Sequence, residues 1–331
     1  MRVIIYPFKY LFLLAIDICI FQNQYYAMNT TKALLVSIAI LFLFAPATTQ
    51  SVSVAELIRV PYISSESKEQ REFYLYLPYG LRSSPDRKWP VLMFLHGDGE
   101  RGNGREDLDW VTVHGPLYEA WVQKRDLPFI IISPQLPLYG MDTLETYIRD
   151  RNPARIPRRL QAGVPDREPD FDTPGEMKGA VSSVELQFVL YPNGWQRVAE
   201  DLIGMVHKII EAYHGDPDKV YLTGLSSGGY GTWYMASKYP DVWAAICPIV
   251  GWGHPDLMQP IASHQIPVWA FAGGRDDAVP AKYFYPGLNK LEMLGDKEVR
   301  FTIQEDMGHD TWKRVYAGED VYAWMLSHKR K

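Results

Sequence analysis

The segment Gly224–Gly228, which reads Gly-Leu-Ser-Ser-Gly, constrains the fold of this chain more than any other. It follows a short apolar run, Val220–Thr223, and precedes a segment with helical character that extends from Tyr230 to Tyr239. The pattern strand, G-x-S-x-G, helix predicts a sharp turn that exposes the serine hydroxyl, and its glycines keep Cβ atoms out of the crowded bend. It therefore predicts Ser226 as a nucleophile, the alternative being a glycine-rich turn around a buried serine.

Two further segments follow in the order that a serine, acid, histidine triad requires in this pattern. The apolar run Pro267–Ala272 predicts a strand, and it leads directly into Asp276 and Asp277. Alternation in Val299–Gln304 predicts a half-buried strand, which is followed by a loop that contains His309. We predict Asp276 as the acid, with Asp277 as second choice, and His309 as the base. The alternatives are a helix cap for the two acids and an ordinary surface histidine.

A glycine-rich loop is the candidate for stabilising an oxyanion. The run Trp89–Leu95 predicts a buried strand, and His-Gly-Asp-Gly follows it at positions 96–99. In the pattern named above, one N–H comes from the residue after the nucleophile, here Ser227, and another from the loop after an early strand. We assign the second donor to the Asp98 N–H, with Gly99 as runner-up. The adjacent pair Glu100-Arg101 is interpreted as a local ion pair that holds the loop.

The rest of the chain alternates between predicted strands and helices. Glu72–Leu77 and Pro128–Ile132 are predicted strands, and apolar residues at helical spacing from Trp195 to Tyr213 predict a helix with one face on a sheet. Such alternation implies an α/β fold whose mostly parallel sheet is covered by helices on both faces. Functional sites in these sheets lie beyond the carboxyl ends of the strands, where the three triad candidates fall.

Residues 136–192 interrupt this alternation. Arginines, acidic residues and prolines are mixed there in a pattern that favours neither helix nor strand. One interpretation is a cap whose arginines meet an acidic or sugar-bearing substrate, and the other is a surface insertion whose charges pair among themselves. We call this segment the insertion.

Three motifs together resemble a known superfamily. Leu95–Gly102, Gly224–Trp233 and Gly308–Trp312 look like the α/β-hydrolases, and most like their secreted esterase branch, the phospholipase/carboxylesterase and polyhydroxybutyrate-depolymerase-like group, related to feruloyl and acetylxylan esterases. The resemblance covers roughly residues 70–135 and 193–330, and the insertion is longer than the group's pattern leads us to expect.

The resemblance implies an α/β-hydrolase fold, with Ser226, Asp276 and His309 as the triad. It also implies cleavage of small-molecule or polymeric carboxylic esters, including plant cell-wall esters, through an acyl-enzyme without any cofactor. A serine peptidase with the same triad and a catalytically silent binding protein on the same scaffold are the alternatives. Trp195 and Trp252 are predicted to line the substrate pocket, although a core position is equally compatible with each.

The N-terminal residues are predicted to be a secretion signal and not part of the folded domain. Met28 and Lys32 precede the apolar stretch Ala33–Phe44, and Ala-Pro-Ala follows at positions 45–47, as in a secretory signal. A second apolar run, Tyr10–Phe21, lies upstream. Met28 is preferred over Met1 as the start, because the apolar region of a signal normally lies close to the N-terminus; the alternative is that the two apolar segments anchor the protein. We therefore expect residues 1–47 to be an extension and signal, 48–331 to be one domain, and the protein to be secreted or periplasmic.

Composition excludes several classes of partner and site. The formal net charge of −5 and the lack of a basic stripe argue against nucleic acid and against a lasting membrane partner once the signal is removed. Two cysteines and scattered histidines give no zinc spacing, so no metal site is expected. Loss of the signal also removes Cys19, which leaves Cys247 without an intramolecular disulfide partner.

Overall fold

The computed structural model describes residues 54–167 and 194–330, all of which belong to one compact unit. The predictions for residues 1–47 and for the second half of the insertion lie outside the described residues. The strands are β1 (Glu56–Ile63), β2 (Gln70–Leu77), β3 (Trp89–Leu95), β4 (Ile130–Ser133), β5 (Gly215–Leu225), β6 (Ala245–Ile249), β7 (Val268–Gly273) and β8 (Val299–Gln304).

These eight strands form one sheet in the order β1-β2-β4-β3-β5-β6-β7-β8. The pairs β1–β2 and β2–β4 are antiparallel, and the pairs from β4–β3 to β7–β8 are parallel. The prediction of a mostly parallel sheet is therefore confirmed. Sequence analysis overlooked β1 and β6.

Helices cover both faces of the sheet. In chain order they are α1 (Gly115–Leu117, continued by a π-helical turn over Tyr118–Val122), α2 (Met141–Leu144), α3 (Thr146–Arg149), α4 (Ala199–Ala212), α5 (Ser227–Lys238), α6 (Met258–Ser263), α7 (Tyr285–Met293), α8 (Trp312–Ala317) and α9 (Asp320–Leu326). The C-terminal helical segment is not continuous. It is interrupted at Gly318, whose backbone is extended with φ −72° and ψ 165°.

The core lies in two layers that the central strand β3 separates. All seven of its residues are buried, as expected for a strand with helices on both sides. Met93 and Leu95 face the layer under α4 to α7, whereas Leu92 and Phe94 face the layer under α1, α8 and α9. Because β3 and its parallel neighbours are fixed on both faces, the loops at their carboxyl ends start from rigid positions.

The described part of the insertion packs along the domain. It contains α2, α3 and a 3-10 turn, Pro153–Arg155, and then continues to residue 167 without helix or strand. Arg149 pairs with its neighbour Asp150, as the self-pairing interpretation requires. Arg167, in contrast, forms a bidentate ion pair with the buried Glu119 of the domain. Neither interpretation is therefore sufficient, because the insertion arginines mainly attach it to the domain.

Candidate active site

Ser226 occupies a strained turn between β5 and α5. Its backbone has φ 51° and ψ −118°, a conformation that non-glycine residues rarely adopt. The turn is held by a hydrogen bond of 2.9 Å from the Ser226 N–H to the Ile249 carbonyl and by one of 3.1 Å from the Tyr230 N–H to the Ser226 carbonyl. Strain of this kind persists only where the surroundings enforce it, and here it presents the hydroxyl beyond the end of the sheet.

The two glycines of the motif are required by close backbone packing. A Cβ on Gly228 would lie 1.9 Å from the Leu95 carbonyl oxygen, and one on Gly224 would lie 2.3 Å from the Gly228 carbonyl oxygen. Neither backbone oxygen can move without disturbing β3 or the start of α5. The motif is therefore a steric requirement of placing α5 directly against the end of β3.

His309 and Asp276 complete a hydrogen-bonded chain with Ser226. His309 Nε2 lies 2.9 Å from Ser226 Oγ, and His309 Nδ1 lies 2.8 Å from Asp276 Oδ2. Nδ1 carries the proton if the carboxylate accepts, which leaves Nε2 to accept the serine proton. The three side chains come from the carboxyl ends of three different strands, β5, β7 and β8, and meet at one edge of the sheet.

Asp276 is fixed from two sides. Its side chain is fully buried, and its Oδ1 accepts the N–H groups of Ala278 and Val279 at 2.8 Å each while Oδ2 contacts His309. Asp276 thus contacts the candidate base and also holds the turn after β7, whereas the helical turn Ala281–Tyr283 has no side-chain cap. Asp277, the second choice, is exposed, and the contact with His309 belongs to Asp276.

The predicted oxyanion loop lies beside the nucleophile. A Cβ on Gly97 would lie 3.6 Å from Ser226 Cβ, so the loop that follows β3 passes directly along the serine. Asp98 opens the 3-10 turn Asp98–Glu100, and Ser227 is the first residue of α5. First-turn N–H groups have no partner inside their own helix, and the N–H groups of Asp98 and Ser227 stay the predicted oxyanion donors.

Two buried side chains support this loop. The neutral His96 ring accepts the Leu136 N–H at Nε2 (2.9 Å), and its Nδ1 lies 2.5 Å from the Gly97 carbonyl. Burial lowers the pKa of His96 from 6.5 to about 3, so the ring stays neutral. Arg101 donates to Asp98 Oδ1 at 2.7 Å and to the Pro137 carbonyl at 3.0 Å.

The predicted ion pair between Glu100 and Arg101 is wrong. Arg101 pairs with Asp98, whereas the Glu100 carboxyl is buried between two histidines, 3.9 Å from His96 and 3.7 Å from His114. Burial is the largest cause that raises the pKa of Glu100 from 4.5 to about 7, and the nearby Asp98 raises it further. The side chains of adjacent residues in the 3-10 turn point apart, which the sequence does not show.

A cavity of about 1170 Å³ lies next to the triad, between the domain and the insertion. Trp312 forms part of its wall and packs edge-on against His309, with ring centroids 5.3 Å apart. Glu100 and His114 also border it, as do Tyr147 and Arg155 of the insertion. The first half of the insertion thus forms one wall of a cavity that reaches the triad through Trp312, the neighbour of His309, although none of the three triad residues lines it.

Trp195 and Trp252 do not border this cavity. Trp195 is fully buried and packs against His96, and Trp252 is 5% exposed and packs against Tyr230 and Tyr283. Both belong to the core layer under α4 to α7, so the prediction that they line the substrate pocket is corrected to a core role. A tryptophan side chain packs equally well in a core and in a pocket wall, and its position in the sequence does not distinguish these two locations.

The described residues offer no evident place for a metal. Among residues 54–167 and 194–330, no three or more His, Cys, Asp or Glu side chains are grouped as a metal would require. In the same residues no helix has both the length and the apolar character needed to cross a bilayer. Cys247 is buried, and its burial raises the pKa of the thiol above its usual range.

The comparison with solved structures establishes the fold. A thermostable esterase superposes with a TM-score of 0.54 at 24% sequence identity, over 83% of this chain and 63% of that one. The chain has the α/β-hydrolase fold. The predicted fold class is thereby confirmed, and this chain matches under two thirds of the length of that esterase.

Shorter matches connect the chain to two named esterases. It is 56% identical over 36 residues to poly(3-hydroxyalkanoate) depolymerase C of Paucimonas lemoignei, which is 11% of this chain and 9% of that protein. It is 48% identical over 44 residues to feruloyl esterase B of Talaromyces funiculosus, 13% of this chain and 12% of that protein. These names support the predicted resemblance to the esterase branch.

A protein-family model also matches part of the chain. The prolyl oligopeptidase family matches residues 182–264. That span includes Ser226 and its strand and helix but ends before Asp276 and His309. The match is therefore carried by the nucleophile turn, which many α/β-hydrolases share.

Sequence reasoning missed three site residues, Trp312, Glu100 and Arg151. Trp312 was quoted only as part of a motif, and Arg151 only as one of several insertion arginines. A tryptophan three residues after the candidate base was the available signal for the first. Glu100 and Arg151 could be recognised only in the tertiary structure, because their partners are distant in the chain or were not predicted as partners.

Proposed function

We propose that this protein is a serine hydrolase that cleaves carboxylic esters through an acyl-enzyme intermediate. The observation that carries the proposal is the hydrogen-bonded chain from Ser226 through His309 to Asp276, with the serine in a strained turn. An exposed serine, a base within 3 Å and an orienting carboxylate are the parts that nucleophilic acyl transfer needs.

In the proposed reaction, His309 Nε2 takes the Ser226 proton as Oγ attacks the ester carbonyl. The N–H groups of Ser227 and Asp98 bind the oxyanion, and Asp276 stabilises the imidazolium that forms. Collapse of the intermediate expels the alcohol, which receives the proton from His309. Water then attacks the acyl-enzyme by the same route and releases the acid, so no cofactor is consumed.

The substrate is proposed to be a small-molecule or polymeric ester whose larger group occupies the cavity lined by Trp312 and the insertion. At about 1170 Å³ it exceeds the usual volume of small-molecule pockets, so it suits a bulky group better than a short acyl chain. The two relatives named above are a polyester depolymerase and a feruloyl esterase, which supports polymeric or plant cell-wall esters as substrates. Secretion after removal of residues 1–47 is the localisation consistent with such substrates.

The test is hydrolysis of p-nitrophenyl butyrate together with labelling by a fluorophosphonate probe. The wild-type protein should do both, and Ser226→Ala should do neither while its circular dichroism spectrum stays unchanged. Ser327→Ala, in the C-terminal turn after α9, is the matched serine control and should keep both activities. Turnover that survives in Ser226→Ala would reject the proposal, and a wild-type protein that is never labelled would favour a silent binding protein.

A serine peptidase is the second candidate, and the match to the prolyl oligopeptidase family favours it. The same triad geometry serves both reactions, so geometry does not separate them. An aryl ester and an anilide of one acid, assayed side by side, do so. Turnover of the anilide that is lost in Ser226→Ala would make the peptidase the better description, whereas hydrolysis of the ester with no turnover of the anilide would exclude it.

A further inference from the structure

Arg151 reaches from the insertion to the loop that carries the proposed oxyanion donor. Its Nη1 donates to the Gly99 carbonyl at 2.9 Å and to the Arg101 carbonyl at 2.5 Å. Its guanidinium stacks over the Trp110 ring at 4.6 Å, and its Nη2 lies 3.8 Å from Asp107. With a side chain only 13% exposed, Arg151 is largely enclosed by the domain, and it also borders the cavity.

The loop that it contacts is weakly held by its own backbone. The two hydrogen bonds inside the turn, from the Glu100 N–H to Gly97 and from the Arg101 N–H to Asp98, are 3.4 and 3.3 Å long. Both exceed the ordinary range for N–H···O bonds, so the turn contributes little stiffness by itself. Its shape must therefore come from side chains that grip it from outside.

His96 contacts the Gly97 carbonyl and Gln135 donates to the Glu100 carbonyl at 2.9 Å, and two arginines add further contacts. Arg101, on the turn, fastens it through Asp98 and through the Pro137 carbonyl at the start of the insertion. Nη1 of Arg151 donates to the two carbonyls on either side of Glu100. Because one nitrogen of a planar guanidinium binds both oxygens, it fixes the distance between them. The Gly99 carbonyl lies one residue after Asp98, in the loop that passes beside Ser226.

We propose that Arg151 is a positioning residue for the oxyanion site, through which the insertion sets the catalytic rate. The proposal rests on the proposed function, since it concerns the transition state of that reaction. Although it also borders the cavity proposed for the substrate, Arg151 is proposed to act through the turn. It holds the turn so that the Asp98 N–H meets the developing oxyanion, and an insertion displaced by more than a hydrogen-bond length would release the turn.

The experiment compares Arg151→Met with Arg149→Met as the matched control. Methionine retains packing over Trp110 but donates nothing, whereas Arg149 is exposed and pairs with Asp150 away from the turn. Loss of a whole oxyanion donor costs about 10²–10³ in turnover, so a displaced donor should lower kcat by about 10- to 100-fold. KM should change less than twofold, and Arg149→Met should match the wild type in both constants.

A thionoester separates this role from a general structural one. The sulfur anion accepts hydrogen bonds more weakly than an oxyanion, so a damaged oxyanion site slows the oxygen ester more than its thiono analogue. The ratio of kcat for the oxygen ester to kcat for the thionoester should therefore fall in Arg151→Met. Arg151→Lys keeps one charged donor, so its ratio should lie between those of the wild type and of Arg151→Met. If Arg151→Met does not fold, Arg151→Lys is the variant that tests the proposal.

Two results would overturn the inference. One is a kcat within threefold of the wild type in Arg151→Met and Arg151→Lys. The other is a fall in rate that is equal for the oxygen ester and the thionoester, which indicates loss of the nucleophile or of the fold. Failure of the proposed function is a different result, because the wild-type protein would then hydrolyse neither ester.

Discussion

Replacing the buried Glu100 by glutamine should change how stability depends on pH. The carboxyl is 6% exposed and lies in the turn beside Ser226, between His96 and His114. Its burial raises the pKa from 4.5 to about 7, and Arg151 and nearby backbone N–H groups offset this only in part. Glutamine keeps the shape and polarity of the side chain but carries no titrating proton.

The magnitude follows from the two pKa values. The unfolded chain loses the Glu100 proton near pH 4.5, whereas the folded protein keeps it up to a pKa of about 7. The associated stability is fully present below pH 4.5 and is lost as pH rises toward 7, because the folded state binds more protons in that interval. At 1.36 kcal/mol per unit, the loss is about 3 kcal/mol.

His96 acts in the opposite direction. Burial lowers its pKa from 6.5 to about 3, so its contribution to stability is present above pH 6.5 and is lost as pH falls below it. Between pH 4.5 and 6.5 the contributions of Glu100 and His96 to the pH dependence of stability have opposite signs. The stability curve of the wild type alone therefore does not separate them. The difference between the wild type and Glu100→Gln removes the His96 contribution, because both proteins contain it.

The assay is urea unfolding of the full chain at pH 4.5, 6 and 8, followed by circular dichroism. Relative to the wild type, Glu100→Gln should gain about 3 kcal/mol in free energy of unfolding between pH 4.5 and pH 8. Glu106→Gln, an exposed position in the same loop region, is the control and should show no such change. A constant difference between wild type and Glu100→Gln across this range would refute the reasoning, since the carboxyl would then titrate alike in both states.

Three further outcomes are expected. Gly228→Ala should lower the free energy of unfolding by at least about 3 kcal/mol in urea titrations, because its Cβ would lie 1.9 Å from the Leu95 carbonyl; a stable variant would contradict the packing described. Asp276→Asn should reduce kcat on p-nitrophenyl butyrate by about 10⁴ with the Tm little changed, since His309 loses its orienting carboxylate, and a loss under tenfold would count against the triad. Arg125→Met should lower the free energy of unfolding by about 3 kcal/mol, because Arg125 joins the buried Glu119 to the carbonyls that end α8. An effect below about 1 kcal/mol would show that the ion pair with Arg167 is enough to stabilise the buried Glu119.

Most of the candidate triad could be predicted from the sequence because each member follows a strand of recognisable pattern. Ser226 is enclosed by glycines, and Asp276 and His309 each come directly after an apolar or alternating run. Parallel strands bring their carboxyl ends to one edge, so predicting the strands also predicts that these side chains meet. The choice between Asp276 and Asp277 needed the structure, since neighbouring residues in a turn differ in direction rather than in sequence context.

What the sequence determined by itself was the fold class and the order of the chemical groups, because periodicity and turn residues are local properties of the chain. What only the tertiary structure decided was which polar groups face each other. Arg101 meets Asp98 rather than Glu100, Trp195 lies in the core rather than at the cavity, and Arg151 crosses some fifty positions to the Gly99 carbonyl. The Arg151 contact depends on how two distant segments approach one another, and the Arg101 contact depends on the direction in which each side chain leaves the turn.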